Sequence, residues 1–118
     1  MAGHEKNLEI GLLLDFYGEL LSDGRRRAAE LYYNEDLSLA EIAEEVGITR
    51  QGVRDNVSKA KSQLTELEEK LGLAAKFRAI EDTLGDIIPR LEVLSSSADD
   101  KTRAELCDII EKAKTITI

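Results

Sequence analysis

The stretch from Leu39 to Leu64, LAEIAEEVGITRQGVRDNVSKAKSQL, constrains this chain more than any other part of it. Two helices that cross at a steep angle need a small residue where they touch, a tight turn between them, and apolar residues facing inward from both sides. Ala43 supplies the small residue and Gly47 the turn, while Ile42, Val46, Ile48, Val53 and Val57 supply a shared core. Seven positions agree at fixed offsets, and the pattern predicts a helix-turn-helix. The boundaries are marked chemically as well. Ser38, followed three residues later by Glu41, is a capping box, in which hydroxyl and carboxylate each satisfy a free backbone N–H. Thr49 is placed to cap the next helix.

The flanking sequence reads as helix throughout. A first helix is expected from about Leu8 to Leu21, after an unstructured Met1 to Asn7, with Leu8, Leu12, Phe16 or Tyr17, and Leu20 at helical spacing. Ser22 stands at an N-cap position before a second helix carrying Arg25, Arg26 and Arg27 and then Leu31, Tyr32 and Tyr33, and Asn34 to Leu37 is the connector. The helix capped by Ser38 ends at Val46. The one capped by Thr49 has apolar positions Val53, Val57, Ala60, Leu64, Leu67 and Leu71 recurring every three or four residues and stops at Gly72. From Ala74 to about Leu94 the pattern fits one kinked helix or two, because Pro89 cannot donate to the helical ladder and crowds the carbonyl of Gly85. Ser95 to Asp99 is a loop, and a last helix from Asp100 to Lys114 sets Leu106, Ile109, Ile110 and Ala113 on one face. Strand signals are almost absent, so the expected fold is all-α, a helical bundle containing a helix-turn-helix without winged elements. Residues 1–72 form the helix-turn-helix domain and residues 73–118 a C-terminal helical extension.

The net charge of −8 argues against coating nucleic acid non-specifically, a mode that depends on lysines and arginines neutralising many phosphates. Any such contact must be local. No apolar run approaches the roughly 20 residues that span a bilayer, and no signal-peptide pattern opens the chain, so a cytoplasmic protein without a membrane partner is expected. The lone Cys107 is read as a small buried apolar residue in a reducing compartment.

If Ile42, Val53 and Val57 face inward, the outer face of the helix after Gly47 shows Thr49, Arg50, Gln51, Arg54, Asp55, Ser58 and Lys61. Arginine can grip guanine edges or phosphates, glutamine can pair with adenine, and a helix amino terminus favours an anion. Between Thr49 and Gln63 the basic residues Arg50, Arg54, Lys59 and Lys61 stand against Asp55 alone, a local charge of +3. The competing reading is a solvated face on a protein-binding module. Arg25 to Arg27 are open to the same two readings, phosphate contact or a solvent-facing charge run. His4 stands alone, and no carboxylate pair has a His, Cys or Ser partner, so no catalytic, metal or cofactor set is expected and the protein is read as non-enzymatic.

The strings NLEIGLLLDFYGELLSD, ELYYNEDLSLAEIAEEVGITRQGVRDN and LEEKLGL together resemble the YlxM family of bacterial helix-turn-helix proteins associated with the signal recognition particle, over about Asn7 to Leu73. The helix-turn-helix is also similar to the fourth region of bacterial sigma-70 factors. The sigma resemblance implies that Thr49, Arg50, Gln51, Arg54 and Asp55 lie on a DNA-facing helix. The YlxM resemblance implies a regulatory role tied to protein targeting, with DNA or the signal recognition particle RNA as nucleic-acid partner, or docking on the signal recognition particle protein. The chain departs from the family pattern in DGRRRAAELYY and VSKAKSQL, which weakens phosphate binding and leaves the fold intact. A homodimer is expected, since helix-turn-helix proteins usually read duplex DNA as symmetric pairs. Its expected surfaces are the first and last helices, at Leu12, Leu20, Ile109 and Ile110.

Overall fold

A single long helix organises the first part of the molecule. In the computed structural model, which describes residues 2–116 and side chains from Leu8 onward, the described residues form helices and no strand. The elements are α1 (Ala2–Tyr17) with a 3-10 turn at Gly18–Leu20, α2 (Asp23–Ala29) with a widened π-helical turn at Glu30–Asn34, α3 (Leu39–Val46), α4 (Arg50–Leu71), α5 (Leu73–Ser96) and α6 (Asp100–Lys114). They fall into two compact units, Met1–Ala74 and Ala75–Ile118.

In the first unit α4 is the spine. Its inward residues Val53, Val57, Ala60 and Leu64 are all buried, as their three- and four-residue spacing requires. Its amino-terminal half meets Ala28, Leu31, Ile42 and Ala43, while its carboxy-terminal half meets Ile10, Leu13, Leu14, Tyr17 and Leu21 of the first helical segment. Gly72 ends α4 at φ 62°, a left-handed conformation that costs a residue without Cβ little.

Several expectations are corrected here. The first helix begins at Ala2 instead of Leu8. It packs through Ile10, Leu13, Leu14 and Tyr17, whereas Leu8 and Leu12 are exposed on α1 and Leu20 is exposed in the turn that follows. The reason lies in what shares each face: Asp15 stands three residues after Leu12 and seven after Leu8, so burying those leucines would bury a carboxylate. Ile48 is 42% exposed and rests over Gly52, outside the core. Cys107 is exposed.

The second unit is a helical hairpin. Pro89 sits exposed within α5, which runs on to Ser96 as one helix, so the loop is shorter than expected. Asp99 caps α6 by accepting from the Thr102 N–H at 2.8 Å, and Arg103 closes the bend by donating to the Ser95 carbonyl at 3.1 Å and the Ala98 carbonyl at 2.9 Å. Of the apolar face expected on α6, Ile110 is buried, Leu106 and Ala113 are half-buried, and Ile109 is exposed.

Candidate nucleic-acid interface

Local chemistry fixes both helices of the α3–α4 pair. The Glu41 N–H donates to Ser38 Oγ at 3.1 Å and the Ser38 N–H to Glu41 Oε1 at 3.0 Å, which completes the capping box. Those bonds hold the Glu41 carboxyl below its ordinary range. Gly47 closes α3 at φ 76°, where its N–H and that of Ile48 both reach the Ala43 carbonyl, at 3.0 and 3.2 Å. Thr49 Oγ1 then accepts from the Gly52 N–H at 3.0 Å and starts α4. At the crossing, Ile42 and Val53 are fully buried and Ala43 nearly so. Only a methyl group stands where the two helices approach.

With Val53 and Val57 turned inward, Gln51, Asp55 and Ser58 fall on the opposite side of α4 and Arg50, Arg54 and Lys61 on its flank. Arg50, Arg54 and Ser58 follow one another at four-residue spacing, and Gln51 and Asp55 form the adjacent row. Thr49, Arg50, Gln51, Arg54, Asp55, Ser58 and Lys61 are all exposed. Thr49 to Ser58 stand at the amino-terminal end of α4, and Lys61 lies at its middle. Gln51 Nε2 donates to Asp55 Oδ1 at 3.2 Å, which orients that amide. Among the described residues no ion pair engages Arg50, Arg54, Lys59 or Lys61. Such a face can offer guanidinium and ammonium donors to phosphate or base edges, with one amide and one carboxylate beside them.

Arg25, Arg26 and Arg27 are used differently. Arg25 Nη1 donates to Gln63 Oε1 at 3.0 Å, and Gln63 Nε2 donates onward to the Leu20 carbonyl at 3.3 Å. Arg26 pairs with Glu30 at 3.0 Å and Arg27 with Glu45 at 3.7 Å. Each arginine has a partner within the unit. His4 lies outside the residues whose side chains are described.

A polar clamp at the far end of α4 escapes reading from the sequence. Tyr17, 2% exposed, donates its hydroxyl to Glu68 Oε1 at 2.7 Å and accepts from the Leu73 N–H at 3.2 Å. Glu68 Oε1 also accepts from the Ala74 N–H at 3.1 Å. Burial, then the bond to Glu68, raises the Tyr17 phenol above its ordinary value. Only the YG and EL strings near Tyr17 are visible locally, and neither announces a partner 51 residues away.

Two helices joined by a glycine turn around an alanine crossing, with the second helix bearing the exposed polar arc, define a helix-turn-helix protein. The family described as "Putative helix-turn-helix protein, YlxM / p13 like" matches residues 4–105, and the chain belongs to it. The UPF0122 protein of Desulforamulus reducens is 41% identical over 112 residues, covering 92% of this chain and 96% of its own. The UPF0122 protein of Acetivibrio thermocellus is 46% identical over 101 residues, 81% and 85% of the two chains. That of Halalkalibacterium halodurans is 37% identical over 107 residues, 91% and 98%. Among the described residues no helix is long and apolar enough to cross a membrane.

Proposed function

We propose that the protein is a non-enzymatic regulator that binds nucleic acid by seating the amino-terminal half of α4 in a groove of duplex DNA. The observation that supports this most is that Arg50 and Arg54 stand exposed, one turn apart, without an ion pair in the described structure, while all three arginines of α2 are engaged by the protein itself. A charge run that merely solvates a helix has no need of that difference. Arg50 and Arg54 act on guanine edges or phosphates, Gln51 on adenine, and Thr49 and Ser58 on phosphate oxygens through their hydroxyl donors. Asp55 accepts from the exocyclic amine of cytosine. Lys61 extends the contact along the backbone.

The second reading is docking on the signal recognition particle, on its protein or its RNA, which the resemblance to YlxM implies. The exposed carboxylates Glu41 and Glu44 on α3 favour a protein partner in that case, because they repel phosphate. One experiment separates the readings. Wild type and Arg50→Ala/Arg54→Ala are compared for binding to genomic DNA fragments, to the particle's RNA and to its protein across a salt series. Where an arginine meets a base, its removal costs about 1–3 kcal/mol; where both meet phosphates, their removal flattens the salt slope by roughly 2. Equal binding of DNA and RNA by the double variant, or no binding of either by wild type at low salt, transfers the role to protein docking.

A further inference from the structure

The side of α4 opposite its buried residues carries a side-chain hydrogen bond, from Gln51 Nε2 to Asp55 Oδ1 at 3.2 Å. Asp55 has cations within reach along the same helix. Arg54 adjoins it, and Lys59 follows four residues later, a spacing at which opposite charges on a helix pair. Among the described residues no ion pair engages Asp55, and its carboxylate meets the Gln51 amide instead. That contact decides which way the amide faces. An ionised carboxylate accepts hydrogen bonds and cannot donate one, so the atom of Gln51 beside it has to be the nitrogen. An untethered glutamine on an exposed face can turn either its oxygen or its nitrogen to a ligand. Tethered by Asp55, Gln51 offers Oε1 and its second N–H, and Asp55 adds Oδ2 as a further acceptor.

We propose that Asp55 is a positioning residue for Gln51, and that the pair it makes selects bases bearing an exocyclic amine, adenine foremost. The inference rests on the proposed function and adds to it which row of α4 discriminates and what that row rejects. In the major groove only adenine N6 and cytosine N4 donate, whereas guanine shows N7 and O6 and thymine shows O4, all acceptors. An amine base meets the oxygens of the pair with a donor. Guanine or thymine in the same place sets oxygen against oxygen and leaves a desolvated acceptor unpaired, so the pair works by exclusion as much as by attraction. Adenine fits best, because Gln51 Oε1 can accept from N6 while the remaining N–H reaches N7. Arg50, Arg54 and Lys61, on the flank of the same helix, are left to the phosphates that wall the groove. This division accounts for an acid on a phosphate-binding face. Asp55 weakens attraction to every sequence alike, and its gain is discrimination among them.

The test uses the full chain as wild type, Asp55→Asn, Gln51→Ala and the double variant. Each is put through selection from a library of DNA duplexes with a randomised centre, and the enriched duplexes are titrated by fluorescence anisotropy at one low salt concentration. Wild type should enrich adenine, or failing that cytosine, at one position, and should lose about 5- to 100-fold in affinity when guanine or thymine is placed there. Asp55→Asn removes a repelling charge and lets the amide turn either way. It should therefore bind duplexes in general more tightly than wild type and yet lose most of that discrimination, a combination that damage to the helix does not produce. In the Gln51→Ala background the change at Asp55 should alter discrimination at that position no further, which shows that Asp55 acts through Gln51. Both side chains are exposed, and circular dichroism checks that helix content persists. Wild-type binding without base preference, enrichment of guanine or thymine at that position, an Asp55→Asn preference equal to that of wild type, or equal weakening on every duplex overturns the inference and leaves DNA binding standing. Failure of wild type to bind any duplex overturns the proposed function and this inference with it.

Discussion

Replacing Tyr17 by Phe removes one oxygen atom and tests whether the clamp at the end of α4 holds the first unit together. The ring stays, so the packing against Ile10, Leu13, Leu14 and Leu64 is conserved. What disappears is the 2.7 Å bond to Glu68 and the acceptor for the Leu73 N–H at 3.2 Å. A hydrogen bond to a charged group contributes about 1.5–3 kcal/mol. In a domain of this size each kcal/mol moves the melting midpoint by roughly 4–8 °C, so Tyr17→Phe should lower it by roughly 6–24 °C. The same hydroxyl gives the protein an alkaline limit. Burial and Glu68 raise the folded pKa of Tyr17 above its unfolded value, so the folded state binds more protons through that interval. The contribution is complete below the ordinary tyrosine pKa of about 10 and is lost as pH rises through the folded value. Tyr33, raised chiefly by burial, acts in the same direction. Thermal melts by circular dichroism from neutral to strongly alkaline pH should show a falling midpoint for wild type and a shallower fall for Tyr17→Phe. A variant with the wild-type midpoint and the same alkaline slope would refute the clamp.

Ala43→Leu forces three extra carbons into the crossing against Ile42 and Val53 and should cost about 1–3 kcal/mol, read as a lowered melting midpoint; an unchanged midpoint would mean that the helices do not cross there. Ser38→Ala removes one bond of the capping box and should cost about 1 kcal/mol in a urea unfolding curve. Because the bonds from Ser38 lower the folded pKa of Glu41, its contribution is present above the unfolded value and is lost as pH falls through the folded one. The stability difference between wild type and Glu41→Ala should therefore narrow in acid, and a difference constant with pH would separate Glu41 from the cap.

The parts of this fold that are written in the sequence are those whose causes are local. Ser38 with Glu41, Gly47 and Thr49 act over three or four residues, and the structure places each where its chemistry predicts. The outward arc of α4 follows from Val53 and Val57 by helix geometry alone, so its membership is legible without knowing what it meets. The contact face of α1 is not, because GLLLDFYGELL is apolar on most sides and its periodicity has little contrast until Asp15 is weighed against Leu8 and Leu12. The clamp of Tyr17 and the engagement of Arg25 and Arg27 depend on Glu68, Gln63 and Glu45, which lie far along the chain. Arg26 with Glu30, at four-residue spacing, is the one α2 pair that periodicity reveals.

Under the proposed function, an acidic chain that meets nucleic acid through a locally basic face works under a limit of distance. At physiological ionic strength the Debye length is about 8 Å, so charges on the far side of the molecule scarcely reach a phosphate beside Arg54. The local +3 between Thr49 and Gln63 then governs contact, although the whole chain is −8. The nearest opposition comes from Glu41, Glu44 and Glu45 on α3, and Arg27 lies 3.7 Å from one of those carboxylates, in a pair exposed enough to contribute little to stability. Its effect is electrostatic: it offsets one negative charge on the helix that precedes α4. Long-range steering toward a polyanion is weak in such a protein, so under the proposed function affinity would come from close hydrogen bonds made by Arg50, Gln51 and Arg54. Contacts of that kind depend on groove and base identity more than on charge density, which fits a selective reader better than a coating protein.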